Sequence, residues 1–455
     1  MIATDLDHGP LAKLDRPGSQ AAGRRVLDGL LRSELAQRGL DFDQVIRPQL
    51  GQPLVIGITR EGGPVGAIRV NDPRALRRAL AKSITERKLA RLDSYEGALV
   101  WRDGSGRRGS AAYGALRDSV FAVARSEAVL HEAIDAAAGS SNLAFSQTFA
   151  SKLPQADAAT LVRGIGAAQR VLASGDPGQA VAARKVPWVR ALGLFTVTVR
   201  VKKREMGVAF ELATDGARLS EDDLPLKPGA VAPRLHDPNA PAAVAVLEPA
   251  RLLRFIEQVL RATDASRFDR YENGIEQLRA IFGVDFRRDL VDKLTSLSIA
   301  VASPTAVTFE APLRRGSAAD FARDLDRARP FVEGVLNDTL PGTSVQTRAG
   351  GRPTWLVKNG GVVLARYGVR DGVLVGSVGL ARLPRPVRGE RLRGLGGSLV
   401  MRGDIARIGR LAGFLLEIPT GTFGVIRGLG DLEIGVRTGL HGMTAKGRIR
   451  LDAKR

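Results

Sequence analysis

Apolar and polar side chains alternate with period two through Phe195, Val197, Val199 and Val201 against Thr196, Thr198, Arg200 and Lys202. A return run holds Val208, Phe210 and Leu212, and the end of the chain repeats the arrangement with Leu432, Ile434 and Val436, then Met443, Ala445, Ile449 and Leu451. Such alternation buries one face of a strand and wets the other, which marks antiparallel sheet. Elsewhere the period lengthens. Leu252, Leu253, Ile256, Val259 and Leu260 form one helical stripe, and Tyr271, Ile275, Leu278, Ile281 and Phe282 form another. A strand at Ala242–Leu247 precedes them, and a helix is expected to open near Ser317 or Ala318. Asp371-Gly372 between two alternating runs predicts a tight hairpin turn.

The same elements come twice. Gly39-Leu40-Asp41-Phe42 leads to the apolar run Leu54–Ile58, and Gly283-Val284-Asp285-Phe286 leads to Leu297–Val301. Trp101 precedes Tyr113-Gly114 by twelve positions, as Trp355 precedes Tyr367-Gly368. Both pairs run into an Arg-Asp turn, Arg117-Asp118 or Arg370-Asp371. Val189-Arg190-Ala191-Leu192-Gly193 matches Ile426-Arg427-Gly428-Leu429-Gly430. Three matches in one order predict an α+β fold of two tandem homologous repeats, each a curved antiparallel sheet with amphipathic helices on one face. The expected division is 1–215 for the first repeat, a proline-rich linker at 216–241, and 242–455 for the second repeat with its Arg-rich end. Ile2-Ala3-Thr4-Asp5-Leu6-Asp7 reads as the tail of a strand whose first residues are missing.

Composition narrows the chemistry. The chain has 455 residues, room for two or three cores, and no cysteine, which removes disulfides and thiolate sites. No apolar run approaches the roughly 20 residues of a membrane-spanning helix. The net charge is +20, a field that favours anionic partners. From Leu380 onward there are 15 basic and 6 acidic residues. Arg382, Arg385, Arg388, Arg391 and Arg393 crowd one stretch, and Lys446, Arg448 and Arg450 fall on one alternating face. These eight form a candidate anion-binding set.

Searches for catalytic and cofactor motifs return nothing. His8, His131, His236 and His441 are isolated, without metal-ligand spacing. There is no serine-hydrolase elbow and no phosphate loop. Gly164-Ile165-Gly166 and Gly428-Leu429-Gly430 begin like dinucleotide fingerprints, but Gln169 and Glu433 stand in the third place. Asp41 and Asp43 could hold a metal or act as acid and base, yet only the first recurs, as Asp285, in a helix-capping context. No cofactor, metal site or catalytic residue is assigned. The Trp–Tyr hairpins read as core rather than as a stacking platform.

Several of these segments resemble one bacterial envelope family. They are Gly39-Leu40-Asp41-Phe42 with Leu50-Gly51 and Leu54–Ile58, Asn71-Asp72-Pro73 before the helix Ala75–Leu80, and the Tyr-Gly strand with Asp118 and Val120–Ala124. Phe149–Pro154 and Asp223-Leu224-Pro225-Leu226-Lys227-Pro228-Gly229 complete the set. The family is the domain-of-unknown-function 3352 family, and the likeness runs from roughly Phe42 to Val335. The resemblance implies a cell-envelope protein with an N-terminal anchor or export signal, which this sequence does not display, and it supplies no catalytic residues. The leading expectation is therefore a non-enzymatic, membrane-associated envelope protein that binds lipid or anionic polymer between its repeats. A nucleic-acid binder using Arg382–Arg393 is the second reading, and a hydrolase or transferase using Asp41 and Asp43 the third.

Overall fold

β-Branched and aromatic residues at every second position, broken by turn residues, fold here into nineteen strands among the described residues of a computed structural model. The structure describes residues 47–49, 51–59, 63–103, 112–139, 147–173, 177–202, 205–229, 231–303, 305–348, 354–379, 381–386, 389–405 and 430–450. Asp41, Asp43, His8, Arg388 and the opening segment Ile2–Asp7 lie outside them.

Six strands form a small antiparallel sheet. They are β1 (Leu54–Ile58), β2 (Pro64–Arg69), β3 (Leu89–Arg91), β4 (Leu99–Asp103), β5 (Tyr113–Arg117) and β6 (Val120–Ala124), in the order β1-β2-β6-β5-β4-β3. Thirteen more form a large antiparallel sheet: β7 (Thr160–Ala167), β8 (Leu192–Lys202), β9 (Glu205–Thr214), β10 (Ala242–Leu247), β11 (Ser296–Ser303), β12 (Ala306–Pro312), β13 (Thr343–Arg348), β14 (Thr354–Asn359), β15 (Val362–Arg370), β16 (Val373–Gly379), β17 (Leu399–Asp404), β18 (Asp431–Gly439) and β19 (Gly442–Arg450). Their order is β13-β14-β15-β16-β12-β11-β10-β17-β18-β19-β9-β8-β7.

This overturns the expected pair of curved sheets. The sheets are unequal, six strands against thirteen, and each runs open between two edge strands instead of curling closed. The cause is one pairing: β9, from the first half of the chain, bonds β19, from the second, in register from Ala213↔Gly442 to Glu205↔Arg450. Alternation says that a strand has a dry face; it does not say whose edge it joins.

The helices also depart from one face. Helix α1 (Pro73–Thr85) starts where Asp72 accepts a hydrogen bond from the Ala75 amide, with Pro73 in the first turn. Its Leu76 and Leu80 pack with Trp101 and Leu116. Helix α2 (Glu127–Ala138), capped by Ser126, sets Val129, Leu130 and Ile134 against Val100, Ala115 and Ala122. Val100 and Trp101 are neighbours on one strand and point oppositely, so the small sheet is covered on both faces.

On the large sheet, helix α5 (Ala318–Thr339) lays Ala322, Leu325, Val332 and Leu336 over Val345, Trp355 and Val357. Helices α3 (Pro249–Thr263) and α4 (Ala265–Phe282) precede β11. Phe255 and Val259 of α3 join Trp188, Leu212 and Leu224 in another cluster. The segment Gly216–Pro241 lies against this sheet. Leu224, Leu226 and Leu235 are buried, Leu235 exchanges backbone hydrogen bonds with Glu390, and Thr438 donates to the Leu226 carbonyl.

Candidate functional site

The strand register gathers basic side chains where the two halves of the chain meet. Lys446, Arg448 and Arg450 alternate along β19 and therefore share a face. Across β9, Arg448 stands opposite Gly207, which stands opposite Arg200 of β8. In the next row Arg450 faces Glu205, which faces Lys202. In the row on the other side Lys446 faces Ala209, then Thr198, then Arg163. The result is a ribbon of cations on a floor of Gly207 and Ala209, with the carboxylate of Glu205 between Arg450 and Lys202. That floor is open: a Cβ added at Gly207 would meet nothing closer than the Arg200 carbonyl at 4.0 Å.

One end of the ribbon is neutralised from within. Glu433 of β18 is buried, paired in register with Arg448 on one side and Arg402 of β17 on the other. Arg448 Nε donates to Glu433 Oε2 at 2.6 Å; Arg402 approaches at 3.7 Å and Arg450 at 3.9 Å. Arg402 also meets Asp431 at 3.6 Å. A buried carboxylate surrounded by three guanidinium groups is a structural clasp, since removing either sign would strand the other in low dielectric. Arg448 thus works inward, whereas Lys446 and Arg450 are exposed, as are Arg200 and Lys202. Arg200 makes a 3.5 Å contact with Asp157.

Of the Arg-rich stretch, Arg382, Arg385, Arg391 and Arg393 are all exposed on an irregular segment. Its apolar members turn inward: Leu392 and Leu395 join Leu235 and Ala232 over Ala243, Ala245, Ala300 and Val400. Those residues lie on the face that carries Arg402, because Ala243 pairs with Arg402 and Ala245 with Val400. The segment then reaches the ribbon, where a Cβ at Gly435 would meet the Gly396 carbonyl at 2.7 Å. Gly435 is the β18 partner of Lys446. The two parts of the basic set therefore border one face of the large sheet. Sequence reasoning missed Arg200 and Lys202, whose membership depends on the β9–β19 pairing and on nothing local.

Other polar clusters are internal. Arg287 donates through Nε to both oxygens of Glu257, at 3.0 and 3.1 Å, and through Nη1 and Nη2 to Glu272 at 3.2 and 2.7 Å. Tyr271 donates to Glu257 at 2.5 Å. The hydrogen bond from Arg287 holds the Glu272 carboxyl below its usual range, while burial and the Glu257 contact push the Tyr271 phenol well up. One guanidinium shared by two carboxylates ties α3 and α4 to the turn that follows. Asp285 caps that turn by accepting from the Arg288 amide. Among the described residues no three His, Asp or Glu side chains are grouped to hold a metal ion. No helix among them is long and apolar enough to cross a membrane.

A comparison with curated proteins found no match. Among solved structures, crystal form III of TP0453 is 11% identical and covers 46% of this chain and 75% of its own, with a TM-score of 0.23. Crystal form IV of the same protein is 11% identical and covers 49% of this chain and 94% of its own, with a TM-score of 0.24. Superpositions that loose support no statement about fold or function. The family comparison is specific, and its span takes in the whole small sheet: residues 1–165 match the family described as "Protein of unknown function (DUF3352)".

Proposed function

We propose that this protein is a non-catalytic binder of anionic envelope material, taking the phosphate-bearing headgroups of an acidic lipid surface on the ribbon of β8, β9 and β19. The observation that carries the reading is the meeting of exposed cations from both halves of the chain around Gly207, Arg200 and Lys202 of β8 with Lys446 and Arg450 of β19. An anion above Gly207 would meet cations from both halves of the chain at once. The net charge of +20 adds a long-range attraction, and the envelope setting rests on the family resemblance.

Co-sedimentation with vesicles tests it. Phosphatidylglycerol mixed into phosphatidylcholine is expected to bind the protein at low salt, phosphatidylcholine alone is not, and added salt should release it. Each cation near an acidic surface contributes about 1 kcal/mol, so Lys202→Glu with Lys446→Glu should weaken binding by roughly tenfold or more. Neither side chain is held in a salt bridge among the described residues. Equal binding to both vesicle types, or an unaffected double variant, would overturn the proposal. Tighter binding to duplex DNA than to acidic vesicles would replace it with the nucleic-acid reading.

A further inference from the structure

Helices α1 and α5 hold the same place, α1 between β2 and β3 and α5 between β12 and β13, each with its apolar side over a buried tryptophan. Their outer sides are unlike. α5 carries five acidic and three basic residues, and each arginine meets an acid of the same helix: Arg323 and Asp320 at 2.8 Å, Arg327 and Asp324 at 3.9 Å, Arg329 and Asp326 at 3.6 Å. α1 carries Arg74, Arg77, Arg78 and Lys82 and no acidic residue. All four are exposed, and Arg74, Arg77 and Arg78 make no ion pair among the described residues. Lys82 comes within 3.9 Å of Glu86, which Lys88 already holds at 2.7 Å. Glu86 is the only acidic residue between Pro73 and Arg91, against seven basic ones.

This arrangement works against the helix that carries it. Arg74 and Arg78, and again Arg78 and Lys82, are like charges four residues apart, which repel along a helix face. Arg74 also stands in the first turn, where the helix dipole favours acids, and the cap Asp72 offsets only part of that. A general excess of arginine would load α5 in the same way, yet α5 is balanced. The apolar side of α1 is committed to the core through Leu76 and Leu80, and only Ala81 and Thr85 lie exposed among the cations. The outer face therefore attracts an anionic surface by charge and has nothing to insert into it.

We infer that the outer face of α1 is a second contact for an acidic lipid surface, lying on the headgroups without entering the acyl layer. The choice of lipid rests on the reading given for the ribbon; the site itself shares no residue with it. From Arg74 to Lys82 the cations extend over about 12 Å of helix, a span for several headgroups rather than one phosphate.

Co-sedimentation at low salt with vesicles of phosphatidylglycerol in phosphatidylcholine separates the two contacts. Arg74→Glu with Arg78→Glu should weaken binding by roughly tenfold or more. Arg323→Glu with Arg327→Glu on α5, an equal change in net charge, should weaken it far less. Arg74→Gln with Arg78→Gln, neutral and helix-favouring, should give an intermediate loss. Thermal unfolding of the α1 variants should come no lower than that of the unmodified chain, because like-charge neighbours are removed. Vesicle binding unchanged by both α1 pairs, or weakened no more by them than by the α5 pair, overturns the inference and leaves the ribbon reading standing. A loss in the α1 pairs with none in Lys202→Glu, Lys446→Glu overturns the ribbon and keeps α1. If the α1 pairs lose affinity for duplex DNA and none for vesicles, the face belongs to nucleic acid and the inference falls.

Discussion

The small sheet and the block β11–β16 of the large sheet run through the same strand order and finish it differently. In each, the helix between the second and third strands covers a buried tryptophan, α1 over Trp101 and α5 over Trp355. After β6 the chain forms α2, which covers the opposite face with Val129, Leu130 and Ile134. Between β16 and β17 the described residues form no helix. The Arg-rich segment runs on instead, and its Leu392 covers Ala243, Ala245, Ala300 and Val400 on strands further along the sheet. One strand order thus supports either a short sheet closed over by helices or a long one that recruits strands from elsewhere. The exposed arginines after β16 occupy the wet side of a cover.

The tryptophans give the largest expected effects. Trp355 is 1% exposed and stacks on Tyr367 with ring centroids 5.4 Å apart, and its indole donates to Asp326 at 3.1 Å. Burial pushes the Tyr367 phenol up to about 12. Trp101 is 4% exposed and stacks on Phe121 at 5.8 Å. Truncating an aromatic side chain in a packed core costs about 3–5 kcal/mol, so Trp355→Ala and Trp101→Ala should each destabilise the protein on that scale in urea unfolding. A loss below about 1 kcal/mol at either position would break the equivalence and reopen that ring as a binding platform.

A smaller effect tests the register. Tyr113-Gly114 and Tyr367-Gly368 follow their tryptophans at the same distance, yet the tyrosines are not equivalent. The turn arginines Arg117 and Arg370 pair with Val120 and Val373. Four positions separate Tyr113 from Arg117, but three separate Tyr367 from Arg370. Trp355 therefore faces Tyr367, while Trp101 faces Gly114. The one-residue difference sends Tyr113 to the other face, against the α2 cluster. Gly114 has no room for a side chain, since a Cβ there would lie 2.5 Å from the Trp101 ring. Gly114→Ala should cost about 1–3 kcal/mol by overpacking, and a silent substitution would show that Trp101 does not lie over that glycine.

What could be read from the sequence was local. Asp118 and Asp371 were legible as turn residues, and both adopt positive φ, 50° and 51°, in tight turns. The wet face of Lys446, Arg448 and Arg450 was legible from alternation. Long-range pairing was not, because period two is indifferent to partner; hence the β9–β19 seam and the contribution of Arg200 and Lys202 went unseen. Glu433 looked like a failed third glycine of a nucleotide fingerprint, and only the register of β17, β18 and β19 shows it clasping three arginines. The Tyr-Gly match misled for the same reason, since a shift of one residue is invisible until strands are paired.

The smallest effect concerns a contact that only the large block can make. His236 is buried on the segment before β10, its Nδ1 3.0 Å from Ser298 Oγ of β11 and its Nε2 2.9 Å from Thr308 Oγ1 of β12. Counting both blocks from their paired turns, Val55 and Val65 stand in the small sheet where Ser298 and Thr308 stand here, so no such clasp can form there. Burial lowers the imidazole pKa below its usual 6.5, and the nearby Asp237 charge offsets part of that. A histidine whose folded pKa is depressed binds protons more readily in the unfolded chain. Its contribution is therefore complete above about pH 6.5 and is lost as pH falls towards the folded value. Thermal stability should therefore drop between neutral and mildly acidic pH. His236→Gln should remove that part of the slope while keeping a polar side chain near both hydroxyls. An unchanged slope in the variant would mean that acid acts elsewhere, and that this segment is held to the large sheet by Leu235 and its backbone hydrogen bonds to Glu390.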